Sequence, residues 1–233
     1  MNKTLRLLVM GLIVMTTALS LQSCLDDDDD NYDYYYGANA LVTLKSSSSG
    51  HLLLQLDDST LLYPVNMNSS PYGNKELRAL VKIRDPRGNE GINKDNLADS
   101  LKNVYVSWID SVRTKPMAPS YGVKNDSIYG NDPLELVDSW MTVSEDGYLT
   151  VNFRTYFGNG SVHTLNLVKG DSTNVLELHQ DANGDHGGRL GDGIIAFRLD
   201  SLVDTKGEYK TFTLKWKSFD GIKSHQFKYR TRK

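Results

Sequence analysis

The chain has no second cysteine in its 233 residues. That absence excludes an intramolecular disulfide framework and any zinc site built on thiolates. A basic surplus is missing too. With 26 basic and 29 acidic residues, nothing is left over to neutralise a phosphate backbone, so nucleic acid is not an expected partner. No apolar run is long enough to span a bilayer comfortably. There is also no Gly-x-Ser-x-Gly elbow, no His-Glu-x-x-His and no glycine-rich phosphate loop with a lysine, and the chain is expected not to be an enzyme. What remains is an ordinary globular composition, 39% hydrophobic and 24% charged, at a length that suits one large or two small domains.

The charge that is present is unevenly placed. Residues 1–23 carry Lys3 and Arg6 and no acid, followed by the apolar run Leu7–Met15. A short positive segment before a short apolar core is the pattern of a signal peptide, not of a membrane anchor. It ends in Leu21-Gln22-Ser23-Cys24, which resembles the bacterial lipobox, with Gln22 departing from the small or apolar residue usual at its position. The resemblance implies lipid on the Cys24 thiol and cleavage after Ser23. A multi-chain lipid anchor then holds the protein to the membrane, since each buried methylene contributes about 0.8 kcal/mol.

Residues 24–37 follow as an acidic tether with Asp26 to Asp30 and Asp33 and no base. Consecutive carboxylates repel one another and stay solvated and extended; the thirteen residues 25–37 reach about 40 Å at roughly 3.3 Å each. Such a stretch serves as a spacer. It also resembles the surface-export signal of some Gram-negative lipoproteins, and the two readings are compatible. The expected location is therefore the Gram-negative outer membrane, with exposure at the cell surface as the sharper form. Residues 37–233 hold 24 basic and 23 acidic residues, a near-neutral body.

From Ala38 onward the hydrophobic period is 2, with frequent turn residues, which predicts an all-β body. Strands are expected at Ala40–Lys45, Leu52–Leu56, Thr60–Pro64, Leu77–Arg84 and Asn103–Val112, with a short helix or turn over Gly91–Leu101. Five strands of this kind suit an N-terminal OB-like small barrel over 38–115. Residues 116–132 read as a linker because they hold Pro116, Pro119, Gly122 and Gly130 and little periodicity. The remainder, 133–233, reads as an antiparallel β-sandwich of about seven strands. Its clearest alternation is Tyr148–Arg154, with Leu149, Val151 and Phe153 on one face, entered through the turn signal Asp146-Gly147. Thr164–Val168, Val175–His179, Ile194–Leu199, Tyr209–Lys217 and His225–Arg230 alternate similarly, Phe212, Leu214 and Trp216 forming the inner face of the fifth of these six runs.

With these features, Asp132-Pro133-Leu134-Glu135-Leu136-Val137-Asp138-Ser139-Trp140 and Gly147-Tyr148-Leu149-Thr150-Val151-Asn152-Phe153 make the chain resemble the NigD-like lipoproteins. The likeness is strongest over 132–153 and 181–199. It implies an OB-like domain followed by a β-sandwich, and a role in bacteriocin self-immunity. It brings no catalytic or ligand-binding residue with it.

Local ligand signals are sparse. Asp181, Asn183, Asp185 and Asp192 stand at positions 1, 3, 5 and 12 of a calcium-type loop. However, His186 occupies the sixth position, where the sharp turn wants glycine, and Asp192 is shorter than the bidentate glutamate. A polar hairpin loop is the competing reading, and His179 with His186 offers a third, a transition-metal pair. No cofactor other than calcium is suggested. His51, His163 and His225 fall in strand-like segments and read as sheet-face or core residues. Trp108, Trp140 and Trp216 would line a glycan- or peptide-binding strip if exposed; in strands, core packing is their default. The expected partners are the membrane through Cys24 and a protein or glycan ligand.

Overall fold

The computed structural model describes residues 37–90, 101–137 and 143–232. Cys24, the acidic tether up to Tyr36, the helix or turn expected over 91–100, and Trp140 lie outside the described residues.

Five strands, β1 (Ala40–Ser46), β2 (Leu52–Gln55), β3 (Leu61–Pro64), β4 (Leu77–Arg84) and β5 (Lys102–Ser111), close into a barrel in the order β1-β2-β3-β5-β4. They coincide closely with the expected runs because each alternates. Ala40, Val42, Leu44, Leu52, Leu54, Ala79, Val81, Val104 and Val106 point inward and fill the interior. Burying each of the larger side chains contributes about 1.5–3 kcal/mol. Closure needs one pairing that no local pattern announces, the parallel β3–β5 contact that sets Leu62 beside Lys102.

The sandwich contains β6 (Arg113–Pro116), β7 (Glu135–Leu136), β8 (Val143–Glu145), β9 (Tyr148–Phe157), β10 (Thr164–Lys169), β11 (Val175–Asp181), β12 (Arg189–Arg198), β13 (Lys210–Ser218) and β14 (Gly221–Tyr229). One sheet runs β10-β11-β13-β14; the other runs β6-β12-β9-β7, with β8 also on β9. Most pairs are antiparallel, while β12–β6 and β11–β13 are parallel. Leu149, Val151 and Phe153 face Phe212, Leu214 and Trp216 across one core, as their alternation predicts. Asp146 and Gly147 form the two-residue turn between β8 and β9 at φ 50° and 77°. That is the positive-φ geometry whose twist matches a β-hairpin.

Some strands are buried on both faces. Leu41, Thr43, Arg78 and Leu80 on the outside of the barrel are buried, as are Tyr148, Thr150 and Asn152 on the outside of the sandwich. The two outsides meet each other. Leu41, Leu80 and Val112 pack against Tyr148 and Ala196, with Trp108 partly buried alongside.

Charges surround this contact. Asp146, on the β8–β9 turn, pairs with Lys45 of the barrel at 2.8 Å and with Arg232 at 3.0 Å. Arg232 also reaches Glu76 at 2.8 Å, and Glu76 accepts the Tyr148 hydroxyl at 2.6 Å. Asp58, between β2 and β3, accepts the Asp146 amide at 2.7 Å and the side chains of Tyr209 and Arg230 at 2.9 Å each. With apolar packing and a multi-armed charge network joined, barrel and sandwich form one unit.

Candidate functional site

The stretch read as a linker is where the sandwich acquires its surface relief. Just before it, Arg113–Pro116, whose first three residues fall in the range expected of the barrel, is a strand of the sandwich, hydrogen-bonded parallel to β12. Pro116 occupies its last position, where the missing amide does least harm. The chain then crosses to the edge of β10, where the Ala118 amide donates to Leu167 at 2.8 Å. A 3₁₀ turn over Gly122–Lys124 and one helical turn, α1 (Asn125–Tyr129), follow. The buried Asn125 side chain ties this insert together, accepting the Tyr121 amide at 2.7 Å.

Gly130 ends α1 at φ 84° and ψ 162°, a region open essentially only to glycine. A Cβ there would lie 2.4 Å from the Gln180 carbonyl oxygen, so only glycine lets the insert press this closely against β11.

Between α1 and the outer face of β11, β13 and β14 lies a cleft of about 320 Å³, at the small end of the range for ligand sites. His179, more than nine-tenths buried, forms part of its wall. Its Nδ1 donates to the Gly130 carbonyl at 3.2 Å and stands 3.4 Å from Asp126 Oδ1. A carbonyl only accepts, so Nδ1 carries a proton. Nε2 has no hydrogen-bond partner and faces Glu177 Oε2 at 3.6 Å. Asp171 adds a third carboxylate, Lys215 and Lys217 line the β13 side, and Lys217 Nζ is held by the Asn131 carbonyl at 2.8 Å. Val123 is 96% exposed on one lip and Ile222 72% on the other. Tyr121, also exposed, pairs with Tyr129 at 6.1 Å, and Tyr129 lies 6.3 Å from the His179 ring.

The four residues of the calcium-type loop each have a different partner. Asp181 accepts the Asn183 amide at 2.8 Å, and the Asn183 side chain donates to the Val162 carbonyl. Asp185 accepts the Gly158 and Asn159 amides, which hold its carboxyl below the usual carboxylate range. Asp192 lies within β12, directly opposite Arg154, and pairs with it in two-pronged fashion. Strand geometry therefore carries Asp192 away from the loop. Among the described residues, no group of three or more histidine, cysteine or acidic side chains is placed to hold a metal ion. His186 stands 3.9 Å from Asp132 and is largely exposed, whereas His179 is buried beside Gly130 and Asp126.

His163 is a buried residue at 4% side-chain exposure, 3.5 Å from Asp185 and under the ring of Phe157; His225 is exposed on β14. Trp216 is buried in the sandwich core and Trp108 packs at the barrel–sandwich contact, so neither stands on an exposed strip. The residues of the cleft carried no motif. Asp126 and Val123 lay in the apparent linker, and only the parallel β11–β13 pairing sets Glu177 beside Lys215.

A closed OB-type barrel interlocked with a two-sheet sandwich defines the class, a tandem of small β-domains. The chain belongs to the NigD-like family: the NigD-like N-terminal OB domain matches residues 41–112, and the NigD-like C-terminal beta sandwich domain matches residues 115–229. Among solved structures, it is similar to a candidate toxin-related protein of Parabacteroides distasonis. The two are 29% identical over 82% of this chain and 92% of the other, with a TM-score of 0.66. A NigD-like immunity protein of Bacteroides caccae shares the fold at 20% identity, covering 84% and 99% of the two chains with a TM-score of 0.57. A candidate lipoprotein of Bacteroides fragilis shares it at 13% identity, covering 83% and 97% with a TM-score of 0.51. No curated protein matches the chain.

Proposed function

We propose that this protein is a lipid-anchored component of the cell envelope that protects its own cell by binding, in the manner of bacteriocin self-immunity, and carries out no catalysis. The observation that carries the reading is NigD-like membership across both domains, in a chain whose lipobox cysteine is followed by an acid-rich tether. A protein of that family whose name describes immunity has the same fold. The interlocked barrel and sandwich suit a binding role, because a preorganised surface loses little entropy on association. The buried His163–Asp185 pair supports binding over catalysis as well. Its side chains are 4% and 3% exposed, so a substrate has no route to it.

The test is deletion of the gene followed by challenge with the bacteriocins of neighbouring strains. Sensitivity should rise, wild-type protein should restore resistance, and Cys24→Ala should not. Unchanged sensitivity after deletion, across the set of bacteriocins, would remove the immunity role.

A further inference from the structure

We propose that the cleft between α1 and the β13–β14 face seats an arginine side chain of a protein partner. This deepens the protective-binding reading above and rests on it.

The unmet chemistry of the cleft is that of acceptors. Asp126 and Glu177 flank the two nitrogens of the His179 ring at 3.4 and 3.6 Å. His179 Nε2, on a side chain more than nine-tenths buried, has no hydrogen-bond partner. Asp171 adds a third carboxylate, while of the two lysines Lys217 is tied to a backbone carbonyl. A guanidinium carries five donors and no acceptor in a planar fork, so it meets the accessible carboxylates of Asp126, Glu177 and Asp171 together. A ligand anion would meet carboxylates instead.

The lips of the cleft are apolar. Val123 and Ile222, 96% and 72% exposed, line the same cleft as the three carboxylates. An arginine has the same order along its length, an apolar stem behind a charged head. The protective-binding reading makes the bearer of that arginine a protein. His179 acts here as a positioning residue. Through Gly130 and α1 it holds Asp126, and its other edge faces Glu177.

The assay is fluorescence anisotropy of labelled hexa-arginine titrated with the full chain in detergent, with hexa-citrulline and hexa-lysine as comparison peptides. Hexa-arginine should bind saturably and hexa-citrulline should not. The double change Asp126→Asn with Glu177→Gln should weaken binding about tenfold or more. Asp85→Asn, at an exposed barrel carboxylate, should leave it unchanged. Val123→Ser alters only an exposed lip and should weaken binding without altering the melting temperature, so the test stands even if the double variant folds poorly. Wild-type affinity in either cleft variant overturns the proposal, as does equal binding of hexa-citrulline or hexa-lysine. The titration uses purified protein, so its failure is distinct from a failed deletion phenotype.

Discussion

Replacing Gly130 by alanine tests how the insert is held on the sandwich. The added Cβ would lie 2.4 Å from the Gln180 carbonyl oxygen and 2.6 Å from Asp181 Cα, both backbone atoms of a strand paired to β10. Neither can move without disturbing that pairing. The backbone at φ 84° and ψ 162° is itself unfavourable for alanine by about 1–3 kcal/mol. Relieving the overlap by moving the insert breaks the His179 to Gly130 and Asp132 to Gln180 hydrogen bonds, each worth about 0.5–1.5 kcal/mol. The sum is a loss of about 2–6 kcal/mol. Gly122→Ala is the matched control: φ is also positive, at 60°, but nothing lies within 4 Å of the new Cβ, so the loss is about 1 kcal/mol. Urea unfolding followed by tryptophan fluorescence gives both values. A Gly130→Ala protein within about 0.5 kcal/mol of wild type, or equal losses for the two variants, would refute the close-approach argument.

Three further outcomes follow from the barrel–sandwich contact and the loop. Arg78 is fully buried, its side chain hydrogen-bonded to Thr43 at 3.0 Å and ion-paired with Glu145 at 3.6 Å, and burial pulls its guanidinium down while pushing the Glu145 carboxyl up. Replacing the pair together, Arg78→Met with Glu145→Leu, is therefore expected to leave stability within about 1 kcal/mol of wild type or raise it, whereas Thr43→Val removes the one hydrogen bond to the buried guanidinium and loses about 1–3 kcal/mol; the reverse order in urea melts contradicts this. Burial raises the Glu76 carboxyl, but hydrogen bonds from Tyr148 and Arg232 outweigh it and the net shift is downward. Its stabilisation is thus present above the unfolded value of 4.5 and is lost as pH falls through the lower folded value. Glu76→Gln should flatten the acid limb of thermal stability below about pH 4.5, and an unchanged limb would count against the network. Millimolar calcium should leave the melting temperature unchanged, since Asp181, Asp185 and Asp192 have other partners; a rise of several degrees would support the calcium reading.

Much of the fold was legible because its strands alternate. Val42 and Leu44 in β1, or Leu149, Val151 and Phe153 in β9, declare one buried face each, and Asp146-Gly147 declares its turn. Legibility failed where the deciding contact is distant in the chain. Arg113–Pro116 has no apolar residue and becomes a strand only because β12 accepts it in parallel. The start of β12 holds Gly191, Asp192 and Gly193, which read locally as loop; pairing with β9 makes it strand. Thr150 and Asn152 look like a solvent face yet are buried, because the barrel covers them. The cleft was hidden for the same reason. His179 was noticed as half of a metal pair, but its true neighbours, Asp126 and Gly130, lay in the stretch taken for a linker.

The anchor and the body make different demands. The body offers a rigid surface, while the proposed protective role depends on where that surface is held. The most direct measurement is therefore metabolic labelling with an alkyne fatty acid, combined with protease treatment of intact cells. The account predicts that wild-type protein takes the label and is cleaved from outside, and that Cys24→Ala loses both. Unlabelled wild-type protein, or a Cys24→Ala protein labelled and cleaved like wild type, would contradict it.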